Sequence, residues 1–210
     1  SAERVGIQQT APPALLGLGQ DSGSGDSAAS SGITFKTSNN DDMFQLSTVG
    51  GANNDARGLK FSADGTERMR MSASGHVTMP SQPCAFVNGG GTSYIQVNDG
   101  SPAPFSNIEH QTGGSNYNTS NYRYTAPVAG WYQVSFGILA GSNITQEWML
   151  NKNGTHVFRC YAIDRSWYCT GIFHCSASDY LEVVSGGSNS GNLYANTGAN
   201  TYSWATYRLL

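Results

Sequence analysis

The chain has 210 residues, enough for one large domain or a small domain with an appendage, and carries 26 glycines, 12% charged and 11% aromatic residues. Its formal net charge is -3 and it has no Lys/Arg cluster, which excludes the basic stripe of a nucleic-acid footprint. No apolar run approaches the roughly 18 residues that span a bilayer, and Leu15-Leu16-Gly17-Leu18 is too short for a signal-peptide core. The chain therefore reads as soluble and not membrane-inserted, and its start at Ser1 instead of Met reads as that of a fragment. Low charge with abundant Ser, Asn, Thr, Gly and Tyr suits β-structure with neutral hydrogen-bonding surfaces, not a helical protein.

Residues 1–80 consist of short alternating pieces separated by Gly and Ser turns. Ala2-Glu3-Arg4-Val5-Gly6-Ile7 returns in modified form as Thr66-Glu67-Arg68-Met69-Arg70-Met71, followed by Ser74-Gly75-His76-Val77-Thr78-Met79. Between them Asp21 to Ser31 reads as a flexible loop, and Ile33 to Thr37 and Met43 to Ser47 as strands. Pieces this short cannot hold a core, so the segment needs partner chains to bury its apolar faces. Gly58-Leu59-Lys60-Phe61, followed by Gly65 to Met71 and Gly75-His76-Val77, resembles the shaft-to-head sequence of bacteriophage tail fibres. That resemblance implies an extended, intertwined, β-rich trimeric shaft. Pro80 and Pro83 bracket a turn at Met79 to Gln82, which places the boundary between a shaft and trimerisation segment, 1–80, and a head, 81–210.

In the head, Tyr124-Thr125-Ala126-Pro127-Val128-Ala129-Gly130 gives a strand end and a Pro/Gly turn. From there Tyr132, Val134, Phe136 and Ile138 alternate with Trp131, Gln133, Ser135 and Gly137, the pattern of a half-buried antiparallel strand. This stretch resembles the signature of the C1q-like globular head, a trimeric jelly roll related to tumour necrosis factor. The resemblance extends to Pro83-Cys84-Ala85-Phe86, to Tyr117 seven positions before Tyr124, to the hairpin Leu150-Asn151-Lys152-Asn153-Gly154, to Asp179-Tyr180-Leu181-Glu182-Val183 and to a closing strand from Tyr202 to Leu210. Two positions depart from it: Ser178 stands where the pattern has Gly, and Thr112 where it has an acidic or amide residue. The fold class this implies is all-β, a C-terminal C1q-like antiparallel jelly-roll sandwich preceded by the trimeric shaft.

Cys84, Cys160, Cys169 and Cys175 allow two disulfides but match neither CxxC nor a dense secreted framework. A hairpin of Val157 to Ile163 with Trp167 to His174, over Asp164-Arg165, sets Cys160 opposite Cys169. The pair could be bridged, but reads here as two buried free thiols.

No Gly-rich phosphate loop, nucleophile elbow, HExxH or paired-Cys zinc signature occurs. His76, His110, His156 and His174 are scattered, and Asp41-Asp42 and Asp179 with Glu182 lack a dense run of oxygen ligands, so no metal and no cofactor is expected. Few, dispersed carboxylates argue against a glycan-cleaving enzyme. The sequons at Asn118, Asn143 and Asn153 matter only for a protein secreted by a eukaryote. Tyr124, Tyr132, Phe136, Phe158, Phe173 and Trp204 fall on strand patterns and are assigned to the core or the trimer interface, whereas Tyr94, Trp167 and Tyr194 lie near turns as candidate exposed anchors.

If the closing strand ends beside the shaft, as the family's termini do, alternation sends the loops at 140–145, 164–166 and 185–200 to the far tip. Those loops carry Asn143, Arg165, Asn189, Asn192, Tyr194 and Asn196, with Trp167 just inside a strand, and they form the candidate receptor-binding set. The expected function is that of a homotrimeric phage fibre tip on the virion, attaching without catalysis to a host-surface glycan or outer-membrane protein. Two alternatives stay open: a structural virion decoration or trimer-registering module, and a secreted C1q-like signalling ligand. The latter would usually carry a collagen-like stalk, which this sequence lacks.

Overall fold

The computed structural model describes residues 15–20, 31–36, 42–49, 58–72, 74–90, 95–140, 147–161, 165–186, 191–193 and 202–210, and every regular element among them is a β-strand. They fall into two compact units, 1–81 and 82–210.

The first unit is a six-stranded antiparallel meander of β1 (Leu15–Gln20), β2 (Ser31–Lys36), β3 (Asp42–Val49), β4 (Gly58–Ala63), β5 (Thr66–Ser72) and β6 (Val77–Thr78), each strand bonded to the next in sequence. β1 takes in the Leu15-Leu16-Gly17-Leu18 run, whose pattern predicts no strand. β4 and β5 are joined by Asp64-Gly65, both at positive φ (49° and 69°), the conformation a tight two-residue hairpin turn demands and that Asp-Gly readily adopts. Register places Leu46 opposite Phe61, Phe61 opposite Met69 and Leu59 opposite Met71, so one face of the sheet is apolar. Ala2 to Ile7 and the Asp21 to Ser31 loop lie outside the described residues, apart from Ser31 at the start of β2.

The second unit contains β7 (Cys84–Asn88), β8 (Ile95–Val97), β9 (Asn107–Thr112), β10 (Tyr117–Asn118), β11 (Arg123–Thr125), β12 (Gly130–Leu139), β13 (Glu147–Lys152), β14 (Thr155–Tyr161), β15 (Ser166–Cys175), β16 (Tyr180–Gly186), β17 (Gly191–Leu193) and β18 (Trp204–Leu209). Two five-stranded antiparallel sheets, β15-β12-β18-β7-β9 and β10-β11-β16-β13-β14, form a sandwich, with β8 and β17 as a separate ribbon. Tyr132, Val134, Phe136 and Ile138 of β12 are buried against Trp148 and Leu150 of β13, Leu181 and Val183 of β16, and Tyr207 of β18. Each such side chain contributes about 1.5–3 kcal/mol by leaving water. Tyr124 stacks on Tyr207 with ring centres 4.8 Å apart and meets Tyr132 edge-on at 5.9 Å. Burial pushes the hydroxyls of Tyr117, Tyr124 and Tyr207 well above the ordinary phenol range, so all three stay neutral.

The hairpin expected between Val157–Ile163 and Trp167–His174 does not form. β14 pairs with β13 across Asn153-Gly154, a tight turn with both residues at positive φ (52° and 78°), while β15 pairs with β12 over ten residues in the opposite sheet. The chain crosses the sandwich between them, because Trp167, Cys169 and Cys175 must face the core from the other side. Cys160 and Cys169 still meet, joined as a disulfide between the two sheets with Cα atoms 6.4 Å apart, within the span a bridge needs. This corrects the free-thiol reading for that pair. Cys84 and Cys175 remain free.

Candidate functional site

Connections gather at the two ends of the sandwich. At one end the Ala140 amide donates to the Arg165 carbonyl (2.7 Å), Arg165 Nε donates to the Ala140 carbonyl (3.2 Å), and Ser203 accepts from Leu139 through Oγ and from Gly89 through its carbonyl. At the other end Asn153 Nδ2 donates to Asp179 Oδ1 (2.7 Å), the Ser176 amide donates to Asp179 Oδ2 (2.8 Å), and the Ala126 amide donates to the Asp179 carbonyl. The unit's two termini lie at this second end, where the Leu209 amide donates to the Pro83 carbonyl and the Leu210 amide to the Trp131 carbonyl.

Of the candidate receptor-binding residues, Arg165 is half-buried at the first end with Nε engaged by Ala140. Asn192 lies in β17 opposite Gln96. Asn143, Asn189, Tyr194 and Asn196 lie outside the described residues, as does Tyr94. Trp167 is not an exposed anchor: at 3% exposure its ring belongs to the core, since in the β15 alternation it points the same way as Cys169 and Cys175. Among the residues assigned to core or trimer, Tyr124, Tyr132 and Phe136 are buried, while Trp204 is half-buried on the outside of its sheet. Phe158 is 37% exposed on edge strand β14, its ring edge-on to Phe173 at 6.1 Å.

The most unusual surface is the exterior of the β15-β12-β18-β7-β9 sheet. Trp131, Tyr168 and Ile172 are exposed there at 57%, 68% and 56%. Tyr168 contacts Trp204 at 5.8 Å between ring centres, Trp204 contacts Phe86 edge-on at 6.4 Å, and Trp131 contacts His174 at 5.4 Å. Trp204 can lie across β12 because Gly137 has no side chain: a Cβ there would come within 2.7 Å of the indole Nε1. The sequence carried a signal for this face, since aromatics occupy both parities of the same strands: Trp131 beside Tyr132, and Tyr168 beside Trp167 and Phe173. Clustered aromatic rings left in water are the mark of an interaction surface.

Glu182, Asp179 and the Cys175 thiol are committed to structure. Glu182, nearly buried, accepts from Arg123 Nε at 2.8 Å, and that hydrogen bond raises the Arg123 pKa further while the guanidinium lies over the Tyr180 ring. Hydrogen bonds from Asn153 and the Ser176 amide hold the Asp179 carboxyl below its usual range. Burial pushes the Cys175 thiol up, away from the thiolate a nucleophile needs. Ser74 Oγ lies 3.0 Å from His76 Nδ1 in an exposed turn, but among the described residues no carboxylate orients that ring. Among them, too, no three His, Cys, Asp or Glu side chains gather as a metal site, and no helix is long and apolar enough to cross a membrane.

No protein-family model matches the chain, and no curated protein matches it in sequence. Solved structures do match in fold. Eiger TNF from S. frugiperda is 14% identical with a TM-score of 0.51, over 61% of this chain and 93% of that one. The globular domain of zebrafish complement 1qA is 12% identical with a TM-score of 0.50, over 61% and 98% respectively. Residues 82–210 make up that same share of the chain. The fold of residues 82–210 is therefore an all-β jelly roll of the tumour necrosis factor and C1q type, as the Tyr124 to Phe136 signature implied.

Proposed function

We propose that the chain is the distal part of a homotrimeric bacteriophage fibre whose jelly-roll head attaches the virion to a host-surface glycan or outer-membrane protein, without catalysis. The observation that supports this best is the aromatic exterior of the β15-β12-β18-β7-β9 sheet, where the exposed Trp131, Tyr168 and Ile172 offer one side of a head-to-tail contact between copies, the kind of contact that closes a ring of three. The apolar face of the 1–81 meander supports association independently. Attachment is then the work of the loops at the Arg165 end, away from the termini, with Arg165 and Asn192 as contacts and with Tyr194, Asn143 and Asn196, which lie outside the described residues, as further candidates by sequence. Three heads on one fibre multiply a weak contact by avidity.

Light scattering should return about three times the 22.3 kDa chain mass, and Trp131→Glu with Tyr168→Glu should break the assembly apart. In the trimer, Arg165→Ala with Tyr194→Ala should abolish adsorption to host cells while Thr155→Ala, at the opposite end, leaves it intact. A monomer at micromolar concentration, or unchanged adsorption of the double variant, would sink the proposal. A second reading, a secreted C1q-like ligand, is favoured by one feature, the Cys160–Cys169 disulfide, since such bridges persist in oxidising compartments.

A further inference from the structure

The exterior of the β15-β12-β18-β7-β9 sheet is not uniformly aromatic. Beside the Tyr168-Trp204-Phe86 row, register sets the short side chains Ser135 and Thr206 next to each other, and beyond them Gln133 next to Arg208. Short residues next to tall ones leave a depression of about 280 Å³, lined among others by Phe86, His110, Gln133, Ser135, Thr206 and Arg208. The chemistry of this lining is one-sided. Arg208 is exposed, and among the described residues no hydrogen bond or ion pair engages its guanidinium. Gln133 supplies an amide whose Nε2 also reaches Thr170 Oγ1 at 3.5 Å, Thr206 supplies a hydroxyl, His110 supplies ring nitrogens, the Ser135 hydroxyl is shared with Thr170 at 2.8 Å, and among the described residues no carboxylate lines the hollow. The carboxylate on neighbouring β9, Glu109, is already occupied, accepting from Asn88 Nδ2 at 2.6 Å and from Asn107 Nδ2 at 2.8 Å.

We propose that this depression is an anion site, taking a small carboxylate- or phosphate-bearing ion on the Arg208 guanidinium with Gln133 and Thr206 as further donors. A planar guanidinium can present two parallel N–H groups to such an ion, and the volume suits a small anion better than an extended ligand. The hollow lies within the face through which copies are proposed to pack, and to that extent the inference rests on that reading. Packing would take Arg208 out of water, and a desolvated charge without a counter-ion is strongly unfavourable. A bound anion at the subunit boundary meets that need.

The test is calorimetric titration of the full chain with inorganic phosphate and with citrate, against sodium chloride at matched ionic strength, with light scattering on the same samples. The expected result is saturable binding of phosphate or citrate, weakened at least tenfold in Arg208→Gln and partly restored in Arg208→Lys. Thr206→Val, which keeps the shape and removes one donor, should weaken binding less. A response no greater than that to chloride, or one unchanged in Arg208→Gln, marks an adventitious ion only and overturns the site. A trimer that binds neither probe also overturns the site and leaves the assembly standing. Binding by a monomeric chain keeps the site and refutes the assembly.

Discussion

The two units use the same rule, alternating side chains on antiparallel strands, and solve burial differently. In residues 82–210 two sheets face each other, and Tyr124, Tyr132, Trp148, Leu150, Leu181 and Tyr207 lose essentially all contact with water. In residues 1–81 a single sheet carries Phe44, Leu46, Leu59, Phe61, Met69 and Met71, and none of these is fully buried; among the side chains described there only Ser47 and Ser62 are. A sandwich completes its core between its own two sheets, whereas a lone sheet with an apolar face does not complete one by itself.

The largest expected effects contrast these two situations directly. Tyr132→Ala should destabilise the head by about 3–5 kcal/mol, the range for truncating a buried aromatic. Phe44→Ala, at a partly exposed ring 6.3 Å from Phe61, should cost less than about 1 kcal/mol if the meander is left as the single chain shows it. Chemical denaturation at several protein concentrations checks both. A Phe44→Ala penalty as large as that of Tyr132→Ala, shrinking as the protein is diluted, would show that association buries the meander's face.

Next in size is the covalent tie that the head has and that the described part of 1–81 lacks. Replacing Cys160 and Cys169 together by Ser should lower head stability by about 2–4 kcal/mol, and reductant should reproduce the loss in the parent chain but not in the variant. Identical melting with and without reductant, or two free thiols at these positions by mass spectrometry, would remove the bridge from the account.

Gly137→Ala probes the exterior face instead of the core. The added methyl meets Trp204 Nε1 and Cε2 at 2.7 and 2.9 Å, so the indole must swing off β12 and give up its contacts with Tyr168 and Phe86. A loss of about 1–3 kcal/mol is expected from such overpacking, together with a change in tryptophan fluorescence. Unaltered fluorescence would show that the ring does not rest over Gly137.

Much of the head's fold was legible because local signals agreed: the β12 alternation, the Asn153-Gly154 turn and the closing strand from Trp204 all point to one architecture. Ser178, where the family pattern has Gly, adopts φ 73°, so the backbone conformation survives a change of residue. Which strands share a sheet was not legible. Val157–Ile163 and Trp167–His174 look like hairpin partners over a short Asp-Arg connection, and only the competing ten-residue register with β12 separates them. Trp167 was misplaced for the same reason, since nearness to a turn says nothing about which way an alternating strand points.

The smallest expected effect lies in the turn cluster beside the termini and should be read in the head's own transition. Asp179 is held by Asn153 Nδ2, by the Ser176 amide and by Lys152 at 3.4 Å, and the first two contacts do most to lower its pKa below the ordinary 3.8. A carboxyl whose folded pKa is depressed contributes stability that is fully present above its unfolded value and lost as pH falls through the folded value. The head should therefore weaken below pH 3.8, and Asp179→Asn should flatten that acid slope while changing stability only slightly at pH 7, because this turn is open to solvent and its charges are screened. Denaturant titrations of both chains at pH 7, 4 and 3 measure the difference between the two slopes. If the Asn variant falls as steeply as the parent between pH 4 and 3, carboxyls elsewhere govern the acid limit and the cluster holds the turn by geometry alone.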